Sequence, residues 1–169
     1  APVSAGQANA LRRAYEAADF APETIELIEA HGTGTKAGDV AEFGGLELAF
    51  GEHPERRQWC AVGTVKSQIG HTKAAAGAAG LFKAVMALRH GILPPTIKID
   101  RPNPKLDIEN SPFTLSTQAR PWIRGGDYPR RAGVNSFGFG GSNFHVAVEA
   151  YVGPGTPAAR LRTVPSHLV

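Results

Sequence analysis

The chain has 169 residues, about one domain on the usual size prior, and with 42% hydrophobic and 20% charged residues it has the balance of an ordinary globular protein. A net charge of +3, with basic pairs only at 12–13, 56–57 and 130–131, lacks the concentrated basic face of a nucleic-acid binder, and no apolar run approaches the roughly 20 residues of a membrane span. A single cysteine, Cys60, excludes an internal disulfide framework, and with no basic-then-apolar leader at the N-terminus a cytoplasmic protein is the default expectation.

Ser4 to Asp19 carries apolar residues at Ala10, Leu11, Ala14, Tyr15 and Ala18, the spacing of an amphipathic helix, with a capping-box pattern at Ser4 and Gln7. Ile25 to Ala30 is short and mostly apolar and reads as a strand, which runs into EAHGTGTKAGD. Helical spacing resumes from Gly38 to Phe50, with Val40, Phe43, Leu46 and 48–50 apolar; Glu42, on that helix, reads from its neighbours as an exposed charge. Cys60 to Val65 is a second short strand, and its context makes Cys60 a buried structural cysteine.

The loop KSQIGHTK follows, then a helix from Lys73 to His90 ended by Gly91 and Pro94-Pro95. Its first half, AAAGAAG, is small enough for close backbone packing and marks a central helix. Pro94 to Pro129 reads as a long ordered connection containing a hairpin, with one strand at Phe113 to Ser116. Arg131 to Phe137 and Phe144 to Tyr151 form a hairpin around FGFGGSN, and the tail from Val152 reads as a linker. Helices alternating with short apolar strands predict an α/β fold, a layered sheet covered by helices on both faces.

Three loops begin where an apolar strand ends: HGTGT, KSQIGH and NSFGFGGSN. Ligands in such sheets bind at strand ends, so the three are expected to converge on one site. No nucleotide-phosphate loop and no paired histidine or cysteine spacing occurs, so no metal site is expected. His53, His90 and His167 stand in polar or terminal contexts and are expected at the solvated surface.

In this order, HGTGTKAGDVAE, VGTVKSQIGHTKAAAGAAGL and GVNSFGFGGSNFH resemble the C-terminal half of a β-ketoacyl synthase of the thiolase superfamily. PPTIKIDRPNPKLDIENSPF and GGSNFHVAVE are most similar to the ketosynthase domains of polyunsaturated-fatty-acid synthases and iterative type I polyketide synthases. The resemblance covers residues 1–151, with 152–169 as the start of a following linker. It implies a thiolase-like fold with a mixed sheet between helices, and decarboxylative Claisen condensation of an acyl thioester with a malonyl thioester.

The family's nucleophilic cysteine belongs to a T-A-C-S-S type segment in the first half. Nothing here matches it, so the chain alone is expected to be inactive. By the same resemblance His31 and His71 donate hydrogen bonds from Nε2 to the malonyl carbonyl, and Lys66 is partnered by Glu42. Thr33 and Thr35 bond the phosphopantetheine arm. The Phe139 backbone N–H, between Gly138 and Gly140, is an oxyanion donor, and the Phe137 side chain is a gate. The glycines at 32, 34 and 70 are expected to keep access to the histidines open, while His145 is expected only to pack or bond locally. No bound cofactor is implied, the substrates riding on the phosphopantetheine of an acyl carrier protein or on coenzyme A. The implied partners are the N-terminal half, the carrier protein and a second copy of the complete domain. Two other readings stand beside it: a non-catalytic partner like a chain-length factor, and a thiolase-type acyl-CoA enzyme without decarboxylation.

Overall fold

A computed structural model describes residues 2–155. The end of the tail, with His167, lies outside the described residues. Helix α1 (Ser4–Ala18) buries Ala8, Leu11 and Tyr15 and stops at Asp19, whose left-handed backbone (φ 54°, ψ 44°) cannot continue the helix. The capping box does not form: Val3 holds the cap position, and Ser4 Oγ instead donates to the Ala41 carbonyl at 2.8 Å. Ser4 thus ties α1 to helix α2 (Lys36–Phe50), which begins two residues before the expected Gly38 because Thr35 Oγ1 accepts from the Gly38 N–H at 3.2 Å.

The main sheet has the order β4-β2-β1-β6-β7. Strands β1 (Leu27–Glu29), β2 (Cys60–Gly63), β4 (Phe113–Leu115) and β6 (Arg131–Phe137) are mutually parallel, and β7 (Asn143–Glu149) runs antiparallel to β6 as the expected hairpin. The strand at 113–115 is therefore not part of a hairpin: it reaches back to pair with β2, Cys60 opposite Phe113. Two residues of β3 (Ile92–Leu93) pair antiparallel with β5 (Arg120–Pro121) beside it. KSQIGHTK is not all loop, since Lys66–Ile69 forms one short helical turn, α3. The long helix opens with a 3-10 turn at Lys73–Ala75 before α4 (Ala76–His90).

Strand alternation divides the core. Ile28, Cys60 and Phe113 face α1 and α2, packing on Leu11, Tyr15, Phe43, Leu46 and Phe50. Leu27, Ala61, Ala132 and Val134 face α4 and meet Ala84, Ala87 and Leu88. Small residues let α4 lie close to the sheet: a Cβ on Gly80 would stand 3.0 Å from the Glu29 Cγ. The other side of α4 is apolar and uncovered among the described residues, with Phe82 67% exposed. Because β1, β2 and β6 are parallel, their C-terminal ends share one edge, and the three marked loops leave from it.

Candidate active site

The first loop leaves β1 at Glu29 and turns sharply at Gly32, whose φ of 45° is left-handed and whose absent Cβ would lie 2.8 Å from the Thr64 Cβ. A side chain at 32 would thus collide with the second loop. Gly34 and Gly70, at φ 75° each, stand in open space. Backbone conformation rather than access to the histidines therefore selects glycine at those two positions.

The loops bring three rings together. His31 and His71 lie edge to face with centroids 5.7 Å apart, and Phe137 lies 5.9 Å from His31. The Phe137 N–H donates to His31 Nδ1 at 3.4 Å, and the Lys73 N–H donates to His71 Nδ1 at 3.0 Å. A ring nitrogen that accepts carries no hydrogen, so in both neutral imidazoles Nε2 is the N–H. Burial, then the charge of Lys66, then His71 lower the His31 pKa to about 4, which keeps it neutral near pH 7.

Glu42 is buried, contrary to the exposed position expected from its neighbours. Its Oε1 accepts from the His31 N–H at 2.7 Å and from Asn135 Nδ2 at 2.8 Å, and its Oε2 accepts from the Gly32 N–H at 2.8 Å. Burial pushes its carboxyl up, while all three donors favour the carboxylate.

Lys66 is half-buried at the start of α3, and burial lowers its pKa against the pull of Glu29 and Glu42. It makes no ion pair with Glu42: the ion pairs among the described residues are Lys83–Glu29, 2.8 Å, and Arg131–Glu149, 2.9 Å. The expected partnership is corrected in its geometry: Glu42 acts on Lys66 through its charge without a contact ion pair, its oxygens being turned to backbone and amide donors. Glu29 is another buried carboxylate, taking Lys83 on Oε2 and the Val65 N–H on Oε1 at 2.5 Å, which fixes the backbone just before Lys66.

Thr33 and Thr35 are exposed, their hydroxyls 3.4 Å apart, and Thr35 is occupied as the cap of α2. Gly138, Phe139 and Gly140 form the exposed turn after β6, with Gly140 at φ 72°. The Phe139 ring is fully exposed, whereas Phe137 packs against His31 and the core. His145 Nδ1 bonds Asn135 Oδ1 at 2.6 Å, the local bond expected of it. His53 is not simply solvated: its Nε2 is 2.8 Å from the Phe50 carbonyl and its ring packs on Trp59; His90 is exposed as expected. Cys60 is fully buried and its thiol is pushed well up by burial, so it is no thiolate.

Three functional groups escape the sequence: Asn135, Glu29 and Lys83. A polar residue in the apolar run AGVNSF signals Asn135, but nothing local signals the other two. The larger cavity, about 800 Å³, opens behind the first loop between α2 and residues 96–108, and neither histidine lines it. The histidines stand instead at the open edge of the sheet. Among the described residues, no group of three or more His, Cys, Asp or Glu could hold a metal ion, and no helix is long and apolar enough to cross a membrane.

Residues 1–100 match the family model of the β-ketoacyl synthase C-terminal domain, and residues 102–168 that of the ketoacyl-synthetase C-terminal extension. Polyketide synthase PksL of Bacillus subtilis (strain 168) is 43% identical over 151 residues, 89% of this chain and 3% of that protein. One component of the polyunsaturated fatty acid synthase of Thraustochytrium sp. is 44% identical over 175 residues, 99% of this chain and 6% of that protein. The ketosynthase from module 6 of the bacillaene synthase of Bacillus subtilis 168 superposes with a TM-score of 0.84 at 43% identity, covering 89% of this chain and 27% of that one. The chain thus spans a small fraction of the length of the relatives it matches.

Proposed function

The chain belongs to the β-ketoacyl synthase family, as a C-terminal part of the ketosynthase domain, and on that premise we propose that it serves decarboxylative Claisen condensation of an acyl thioester with a malonyl thioester. A cysteine thiolate from the N-terminal half attacks the acyl thioester and expels the carrier thiol. Loss of carbon dioxide from the malonyl thioester leaves an enolate, which attacks the cysteine-bound acyl carbonyl and expels the thiolate, giving a β-ketoacyl thioester. Because Cys60 is fully buried, the nucleophile comes from outside this chain.

The observation that carries the reading is the shared tautomer of the two histidines. Each has Nδ1 occupied by a backbone N–H, which leaves Nε2 as the N–H on two rings whose centroids are 5.7 Å apart. Two such donors suit an oxygen that gains negative charge as carbon dioxide leaves. Lys66 adds positive potential beside them and helps hold His31 neutral, while the Phe139 N–H serves the oxygen of the cysteine-bound acyl group. The phosphopantetheine arm of an acyl carrier protein passes the exposed hydroxyls of Thr33 and Thr35. Gating fits the exposed ring of Phe139 better than the half-buried ring of Phe137, which packs against the core and His31. The uncovered apolar side of α4 is where the N-terminal half packs.

The test uses the complete ketosynthase carrying His31→Ala or His71→Ala. Acyl loading of the cysteine is retained, and carbon-dioxide release falls by about 10² or more for each lost donor. Unchanged release in both variants overturns the assignment.

A further inference from the structure

We propose that Asn135 and His145 are positioning residues for His31, the far links of a buried hydrogen-bond chain that fixes the imidazole through its own backbone. The proposal rests on the reading of His31 as an oxyanion donor. Glu42 Oε1 holds the His31 N–H at 2.7 Å and Asn135 Nδ2 at 2.8 Å. With its NH2 facing a carboxylate, Asn135 presents Oδ1 to His145, so His145 Nδ1 carries the hydrogen of that 2.6 Å bond. Asn135 and His145 stand directly opposite each other in the β6–β7 register, and Asn135 is 3% exposed.

Two residues further along β6 and on the same face, the Phe137 N–H reaches His31 Nδ1. Strand β6 therefore grips His31 at two points, at its backbone through Asn135 and Glu42 and at its ring directly. The His145 ring has little room to turn. It meets Tyr15 of α1 edge to face at 4.9 Å, and a Cβ on Gly133 would stand 2.5 Å from its Cε1.

Stability alone does not account for a histidine here. Its Nε2 is buried without a hydrogen-bond partner among the described residues, an unfavourable arrangement that a phenylalanine ring would avoid while filling the same space. What phenylalanine cannot do is donate to Asn135. Without that donor the Asn135 amide is held at one end only, by Glu42, so both it and the His31 backbone gain freedom. A displacement of about 1 Å in a group that contacts the reacting atoms costs on the order of 10² in rate.

The experiment follows two half-reactions in the complete ketosynthase: acyl loading of the cysteine by mass spectrometry, and carbon-dioxide release from a malonyl thioester by the acyl-loaded enzyme. His145→Phe should lower carbon-dioxide release by about 10-fold with loading unchanged, on the 10–100-fold scale typical of groups that orient a functional side chain. His145→Asn, whose amide nitrogen stands close to where Nδ1 was, should recover most of the loss. Asn135→Asp, which sets a second carboxylate against Glu42, should lose more than His145→Phe, and it reads the same ratio where His145→Phe does not fold. Equal loss in both half-reactions, or unchanged carbon-dioxide release in both variants, overturns the proposal. His31→Ala in the same assay separates the two ideas: if it alone abolishes release, only the positioning role fails, and if it too leaves release unchanged, the reading of His31 fails.

Discussion

Glu42 offers a sharp test of how the site is held, because its two oxygens serve three N–H donors and no cation. Glu42→Gln keeps the shape. The amide oxygen can replace Oε1, but the NH2 then faces the Gly32 N–H, and one charge-assisted bond of about 1.5–3 kcal/mol is lost. Relief from burying a charge offsets part of this, so the net cost should be about 1–2 kcal/mol. Glu42→Ala leaves all three donors unpaired, at about 1–3 kcal/mol each, and should cost about 3–9 kcal/mol. Denaturant midpoints of the complete ketosynthase measure both. A double-mutant cycle then decides which neighbour matters. Glu42→Ala with Asn135→Ala should couple by about 1 kcal/mol or more, whereas Glu42→Ala with Lys66→Ala should couple less, since those two side chains interact only through their charges and make no ion pair. Strong coupling to Lys66 with none to Asn135 would refute the geometry.

Three further outcomes follow from buried contacts. Lys83→Met strands the Glu29 carboxylate and should cost about 3–5 kcal/mol, while adding Glu29→Gln, which can still accept from the Val65 N–H, should restore most of it; no recovery in the double variant refutes the pair. Gly133→Ala drives a Cβ against the His145 ring and Ile28 and should destabilise by about 1–3 kcal/mol, relieved in part when His145→Asn removes the ring; equal destabilisation in either background refutes the contact with His145. His145, with its pKa lowered to about 3 by burial, takes up a proton near pH 6.5 in the unfolded chain but not in the folded one. Its contribution is therefore complete above pH 6.5 and is lost as pH falls toward about 3, so between pH 7 and 4.5 the native protein should lose about 2 kcal/mol relative to His145→Phe. Parallel stability curves for the two would remove His145 from the account.

The loops were legible because each follows a short apolar run and opens on residues that few other structures need. Gly32 and Gly34 take left-handed φ values that strands and helices do not contain, so HGTGT could only be a turn at a strand end. The hydrogen-bond chain was not legible. Asn135 meets Glu42 only because the parallel register sets Val134 beside Glu29, and it meets His145 only through the β6–β7 register; neither is encoded locally. The Lys66–Glu42 partnership failed for a related reason. Spacing within each motif says nothing of where the carboxylate points, and Glu42 turns its oxygens to the His31 and Gly32 backbone and the Asn135 amide. Ser4 looked like a cap because local patterns assume a helix alone, yet the approach of α2 gave its hydroxyl a different acceptor.

Two of the buried carboxylates, Glu29 and Glu42, work on opposite faces of the sheet to one end. Glu29, on the α4 face with Leu27, takes the Val65 N–H and so holds the segment that leads through Lys66 to His71. Glu42 reaches the edge from α2, on the other face, and takes the His31 and Gly32 N–H groups. His31 is thus held at its own backbone and His71 through the segment that leads to it, and the Nδ1 of each is occupied by another backbone N–H. On the proposed reading, Nε2 is the atom left to meet a substrate. Donors fixed in this way need not reorganise as charge develops, which is the condition under which oxyanion stabilisation is most effective. Anything that loosens the carboxylates should therefore slow the step in which charge develops more than it weakens binding of the substrate.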